Sequence, residues 1–134
     1  MAIQTPRVLI VDDEQELVSA LVERLALRGV SAEGVTAGDI ALERIGQRSF
    51  DVVVLDVKMP GLGGIDLLQR IKEDQPAIQV VLLTGHSSAQ DAERGMSLGA
   101  FEYLVKPVKI EDLVRVLRAA AEHARSAGRS HSDE

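Results

Sequence analysis

Short, nearly continuous apolar runs recur along the chain, and segments with helical spacing lie between them. Residues 8–11 (VLIV), 52–55 (VVVL) and 78–83 (IQVVLL) are the clearest runs. A strand with one solvent face alternates apolar with polar residues, so an unbroken run predicts a strand covered on both faces, the habit of parallel sheets. Weaker strands are expected at 31–35 and 100–104. Between them Leu17, Val18, Leu21, Val22 and Leu25 form one broad apolar stripe, and Gly29 stands where that helix should stop. Ile40, Ala41 and Ile45 mark a second helix, and Ile65, Leu67, Leu68 and Ile71 a third that ends before Pro76. Residues 88–98 make the fourth, with Ser87 or Ser88 as its cap, and Ile110, Leu113, Val114 and Leu117 the fifth, expected to run to about Ser126. Five strand–helix units in a row predict an α/β fold: a doubly wound, five-stranded parallel sheet with helices on both faces. In such folds the functional crevice lies at the carboxyl ends of the strands.

Length and composition narrow the function. The 134 residues suit one domain, and the polar stretch 127–134 is expected to be a disordered tail. That tail reads equally as a natural end or as a cut linker. Fifteen basic against 21 acidic residues leave a net charge of −6, the wrong footprint for direct nucleic-acid binding. There is no cysteine, which removes disulfides, thiolate metal sites and cysteine nucleophiles. No apolar run approaches the ~18 residues of a membrane span and the start lacks a signal-peptide core, so a cytoplasmic location is expected.

Polar groups sit at the strand ends. Asp12 and Asp13 follow the first run, Asp56 the third, Thr84 the fourth and Lys106 the fifth. A parallel sheet gathers all five at one edge. Three converging carboxylates need a cation to stay ionised together, or one must take a proton. Oxygen ligands of this kind suit Mg²⁺, and a lysine and a hydroxyl beside them suit a transferring phosphoryl group. Each residue also has an ordinary reading: Asp12 and Asp13 as helix caps, Asp56 as a turn residue, Thr84 as a strand former, Lys106 as a solvated loop residue. The weight lies in their coincidence at four successive strand ends.

VLIVDDE at 8–14, VVVLDVKMPGLGGIDLL at 52–68, VVLLTGHSS at 80–88 and FEYLVKPV at 101–108 together resemble the receiver domain of two-component response regulators, over residues 7–124. The LLTGHSS and KMPGLGG forms look like receivers of the chemotaxis and nitrogen-regulation type. The resemblance implies a flavodoxin-like (βα)5 receiver fold with strand order 2-1-3-4-5, in a receiver domain at 1–126 without an output domain. It implies a signalling domain, not an enzyme in the ordinary sense, which assists its own phosphorylation and dephosphorylation. Asp56 would be the phosphoacceptor, attacking the phosphohistidine of a sensor histidine kinase or phosphotransfer protein. Mg²⁺ would be held by Asp13, Asp56 and the backbone carbonyl of Lys58, with Asp12 acting through water. Lys106 would pair with the phosphoryl group and Thr84 would turn to hydrogen-bond it.

The resemblance also implies a switch in which Tyr103 turns inward as Thr84 moves, altering the surface of the fourth helix, fifth strand and fifth helix. That surface would meet a downstream protein or output domain, or a second copy in a phosphorylation-dependent homodimer. Lys58 and His86 occupy positions that tune the phosphoryl lifetime, and Lys106–Pro107 matches the family's cis peptide. Gly95, inside the fourth helix, fits either a movable element or close packing. Arg115, Arg118 and Arg125 on the fifth helix read as a solvated face ahead of a docking stripe. A haloacid-dehalogenase-type phosphohydrolase would share the aspartate chemistry, but it needs a second Asp where Lys58 stands. A receiver that no longer accepts phosphate is opposed by the complete acidic set.

Overall fold

The computed structural model describes residues 5–59, 61–85 and 89–132, with side chains described as far as Ser126. Strands and helices alternate throughout: β1 (Arg7–Val11), α1 (Gln15–Ala26), β2 (Ser31–Val35), α2 (Gly38–Gln47), β3 (Val52–Asp56), α3 (Gly64–Asp74), β4 (Gln79–Thr84), α4 (Ala89–Ser97), β5 (Glu102–Val105) and α5 (Ile110–Ser132). All strand pairs are parallel, in the order β2-β1-β3-β4-β5.

The unbroken apolar runs are explained by the two layers that cover the sheet. Val8, Ile10, Val52, Val54, Val81 and Leu83 face a core shared with Val18, Leu21 and Leu25 of α1 and Leu113, Leu117, Ala120 and Ala121 of α5. The intervening Leu9, Val11, Val53, Leu55, Val80 and Leu82 face the opposite core, with Ala41, Ile45, Leu67, Leu68 and Ile71 of α2 and α3. Because successive side chains point to opposite faces, every position of a central strand must be apolar.

Helix α1 stops as its sequence predicts. Gly29 has φ +76°, the Val30 N–H bonds the Leu25 carbonyl and the Gly29 N–H bonds the Ala26 carbonyl, a Schellman closure that favours glycine. Gly99, φ +108°, closes α4 in the same way through Ala100 to Gly95 and Gly99 to Met96. Two boundaries differ from expectation. Strand β5 starts at Glu102, because Ala100 completes the α4 closure. Helix α5 continues to Ser132 instead of ending near Ser126, since no proline interrupts it and Gly128 alone costs only about 1 kcal/mol.

The arginines of α5 are not simply a solvated face. Arg115 is exposed and pairs with Asp112, but Arg118 donates to the Arg28 carbonyl at 2.7 Å, and Arg125 reaches the Thr5 carbonyl and Asp51 at 3.0 and 3.1 Å. The last two fasten the helix to the turn after α1 and to the amino-terminal edge of the sheet. Among the described residues no helix is long and apolar enough to cross a membrane.

Candidate functional site

Register brings the predicted residues together. Leu55 and Asp56 of β3 lie beside Leu82 and Leu83 of β4, and Leu83 and Thr84 lie beside Leu104 and Val105 of β5. Asp12 and Asp13 leave β1, Asp56 ends β3, Thr84 ends β4 and Lys106 follows β5, all at the carboxyl edge. The close seat of the β3–α3 turn depends on glycine: a Cβ on Gly64 would lie 2.3 Å from the Asp56 carbonyl oxygen. The Lys106–Pro107 peptide is cis, as expected, and the Lys106 N–H bonds the Thr84 carbonyl at 2.7 Å.

Carboxylate oxygens of Asp12, Asp13 and Asp56 lie within 4.8 Å of one another. Asp12 is fully buried, Asp56 is 8% exposed and Asp13 is exposed. Among the described residues one cation enters the group: Lys106 Nζ is 2.8 Å from Asp12 Oδ2 and 3.6 Å from Asp56 Oδ2. Backbone donors take the other oxygens, with the Glu14 N–H on Asp12 Oδ1 at 3.0 Å and the Lys58 N–H on Asp56 Oδ1 at 3.2 Å. Burial pushes the Asp56 carboxyl above the ordinary carboxylate value, and the charge of Asp12 adds to this. Lys106 and the Lys58 N–H oppose the rise, and Asp13 reinforces it. Burial works against the Lys106 ammonium, but the Asp12 hydrogen bond and the charges of Asp12, Asp56 and Glu14 outweigh it and raise its pKa.

Oxygen-only donors crowded beside one lysine form an anionic cradle suited to a hard divalent cation, and like charges so close favour any added cation over their own repulsion. Thr84 is 1% exposed at the end of β4. Tyr103 is 38% exposed on β5, one position past the strand residue opposite Val81. The Lys58 side chain is exposed. His86 and the expected caps Ser87 and Ser88 lie outside the described residues.

Two features escaped the reading of the sequence. Glu14, adjacent to the paired aspartates, places Oε1 3.5 Å from Lys106 Nζ; its place in the DDE run was the available signal. Asp51 is 7% exposed and gathers the Arg7 N–H and Arg125 at the far edge of the sheet. Its partner is 74 residues away in sequence, and no local pattern announces the pair. Gly95 packs closely on the sheet: a Cβ there would lie 2.3 Å from Leu82 Cδ1.

Comparison with known proteins follows the same lines. Residues 8–118 match the family model of the response regulator receiver domain. The chain is 34% identical over 125 residues to the transcriptional regulatory protein TctD of Salmonella typhimurium, covering 93% of this chain and 55% of that protein. It is 34% identical over 116 residues to the DNA-binding transcriptional regulator NtrC of Escherichia coli, covering 87% of this chain and 25% of that protein. The chain thus spans about half the length of TctD and a quarter of NtrC. A response regulator receiver domain protein from Clostridium thermocellum superposes with a TM-score of 0.87 at 33% identity, over 91% of this chain and 98% of that one.

Proposed function

Since the chain belongs to the response regulator receiver family, the signalling domains of two-component systems, we propose that Asp56 accepts a phosphoryl group from the phosphohistidine of a sensor histidine kinase or phosphotransfer protein. A carboxylate oxygen of Asp56 attacks the phosphorus in line, an acyl phosphate forms, and the N–P bond breaks with the electron pair leaving on the imidazole. The observation that carries this reading is the setting of Asp56: a strand-end carboxylate with two further carboxylates within 4.8 Å and a lysine ammonium at 3.6 Å.

The carboxylates of Asp12, Asp13 and Asp56 fit Mg²⁺; Asp13, Asp56 and the Lys58 carbonyl would hold it, and Asp12 would support it through water. Bound there, the ion would neutralise the charge that otherwise keeps an anionic nucleophile from an anionic donor. Lys106 holds a phosphoryl oxygen and Thr84 donates its hydroxyl to another. The pull on Thr84 and Lys106 biases a two-state surface made by α4, β5 and α5, with Tyr103 turning inward. A downstream protein, an output domain or a second copy of the chain reads that surface. Lys58 and His86 tune how long the acyl phosphate lasts, and the domain assists both its gain and its loss. A cytoplasmic location and a domain spanning 1–126 belong to the same reading.

The test is intact-mass analysis after incubation with acetyl phosphate, with and without Mg²⁺, beside Asp56→Asn. One phosphoryl group gained only with Mg²⁺, and absent from the variant, is the expected result. Equal uptake by the variant would remove Asp56 from its role. Failure to take phosphoryl from acetyl phosphate and from a panel of phosphohistidine kinases would overturn the proposal.

A further inference from the structure

Glu14 is placed unlike an ordinary helix-capping acid. Its backbone is pinned on both sides: the N–H donates to Asp12 Oδ1 at 3.0 Å, and the carbonyl accepts the Val18 N–H at 3.0 Å in the first turn of α1. Its side chain makes no capping bond to that turn. Instead Oε1 lies 3.5 Å from Lys106 Nζ. The ammonium is therefore shared by three carboxylates, Asp12 at 2.8 Å, Glu14 at 3.5 Å and Asp56 at 3.6 Å. Asp12 is buried and Asp56 nearly so, whereas the Glu14 side chain is 65% exposed. Glu14 and Lys106 also line one cavity of about 400 Å³, beside Leu17 and Leu21 of α1 and Pro107 and Val108 after β5. Glu14 thus meets Lys106 from the exposed, α1 side of the cluster.

We propose that Glu14 is a positioning residue for Lys106: its carboxylate tethers the ammonium on the outer side of the acidic cluster, and phosphorylation of Asp56 proceeds against that tether. The proposal rests on the reading of Lys106 as the partner of the phosphoryl group. An interaction accelerates transfer only to the extent that it is stronger in the transition state than before it. Lys106 gains its full attraction to the transferring group only as it leaves Glu14, so the tether subtracts from what the lysine contributes. The pair is largely exposed on the Glu14 side, and its effect is accordingly small.

Two variants separate contact from charge. Glu14→Gln removes the charge, while Glu14→Asp keeps it but draws the carboxylate back by about 1.5 Å, one C–C bond. Glu14 stands at the N-cap position of α1 but makes no capping bond, so neither variant removes a buried contact or an existing cap bond, and melting temperatures no lower than wild type would verify that both fold. Initial rates of phosphoryl uptake from acetyl phosphate at saturating Mg²⁺ are compared with the rate at which a water-soluble succinimidyl ester labels Lys106 in Mg²⁺-free buffer, read by peptide mass. Both variants are expected to take phosphoryl about two- to fivefold faster and to label faster at Lys106, with Lys109 labelling unchanged. Glu14→Asp behaving as wild type would mean that charge acts without contact, and would overturn the tether. Unchanged labelling of Lys106 in either variant overturns it too, as does faster labelling without faster uptake in a chain that is phosphorylated. If the wild-type chain takes no phosphoryl group at all, the proposed function fails, and the labelling alone decides whether Glu14 holds Lys106.

Discussion

Asp56 carries an electrostatic cost in the folded chain, set by its burial and by the charges of Asp12 and Asp13 beside it. Burial and the charge of Asp12 raise its pKa above the value it has when unfolded. Between those two values the folded state holds a proton that the unfolded state has released, so stability falls as pH rises through the folded pKa. Asp56→Asn removes both the penalty and this part of the slope. In EDTA at neutral pH the variant is expected to melt a few degrees above wild type, about 1 kcal/mol being worth about 3–5 °C in a domain of this size. Added Mg²⁺ should raise the wild-type melting temperature and move the variant much less. Scanning calorimetry from pH 4 to 8 checks both points, and a variant that melts lower in EDTA would contradict the electrostatic account. The aspartates, Thr84 and Lys106 were legible in the sequence because each ends an apolar run. The convergence of the three aspartates with a lysine beside them was legible too, since a parallel sheet gathers its strand ends at one edge; the direct 2.8 Å contact of Lys106 with Asp12 was not, because it depends on contacts across the sheet. Asp51 with Arg125 escaped for the same reason, since a pair separated by 74 residues leaves no periodic trace.

At the scale of elements, glycine sets how closely helices approach the sheet. Gly95 lies in α4 over Leu82, and Gly64 opens α3 over the backbone of Asp56 and Val57. Helix propensity alone favours alanine at either site by about 1 kcal/mol. Packing opposes it: the Gly95 Cβ would meet the side chain of fully buried Leu82 at 2.3 Å, while the Gly64 Cβ would meet the Asp56 carbonyl at 2.3 Å and Val57 Cα at 2.9 Å. A leucine can change rotamer, but the main chain beside the acidic cluster has nowhere to go. Gly95→Ala is expected to lose about 1–3 kcal/mol in urea unfolding and to keep phosphoryl uptake, whereas Gly64→Ala loses more and slows uptake as well. Equal effects at the two sites would refute the distinction. The central strands were readable because two-sided burial forces every position apolar, and α1 because its stripe and Gly29 agree. The end of α5 was not readable, since the polar composition after Ser126 suits a tail and a solvated helical turn alike. Arg115 and Arg118 are exposed, as a solvated face requires, but the grip of Arg118 on the Arg28 carbonyl and of Arg125 on Asp51 was not readable, because a cation that grips a partner across the fold has the same sequence as one in water.

The whole molecule has two unlike ends and one open side. Asp12, Asp13 and Asp56 concentrate negative charge at the carboxyl edge, and Arg125 with Asp51 and Thr5 holds α5 at the amino edge. Strand β5 is an edge strand, and its Tyr103 and Val105 stand 38% and 41% exposed. Exposed apolar side chains on an unpaired strand edge are the features natural sheets usually blunt, and here one of them, Tyr103, is the residue proposed to turn on phosphorylation. If that surface pairs with a second copy, sedimentation velocity should show the mass doubling when Asp56 is phosphorylated and remaining single in Asp56→Asn. Val105→Glu should take phosphoryl at the wild-type rate yet stay single, because a charge on β5 blocks pairing without touching the acidic cluster. A phosphorylated chain that keeps its monomer mass would assign the surface to a different protein or an output domain. Doubling in Asp56→Asn as well would detach self-association from the phosphoryl group, and the exposed strand would then be a standing interface instead of a switched one.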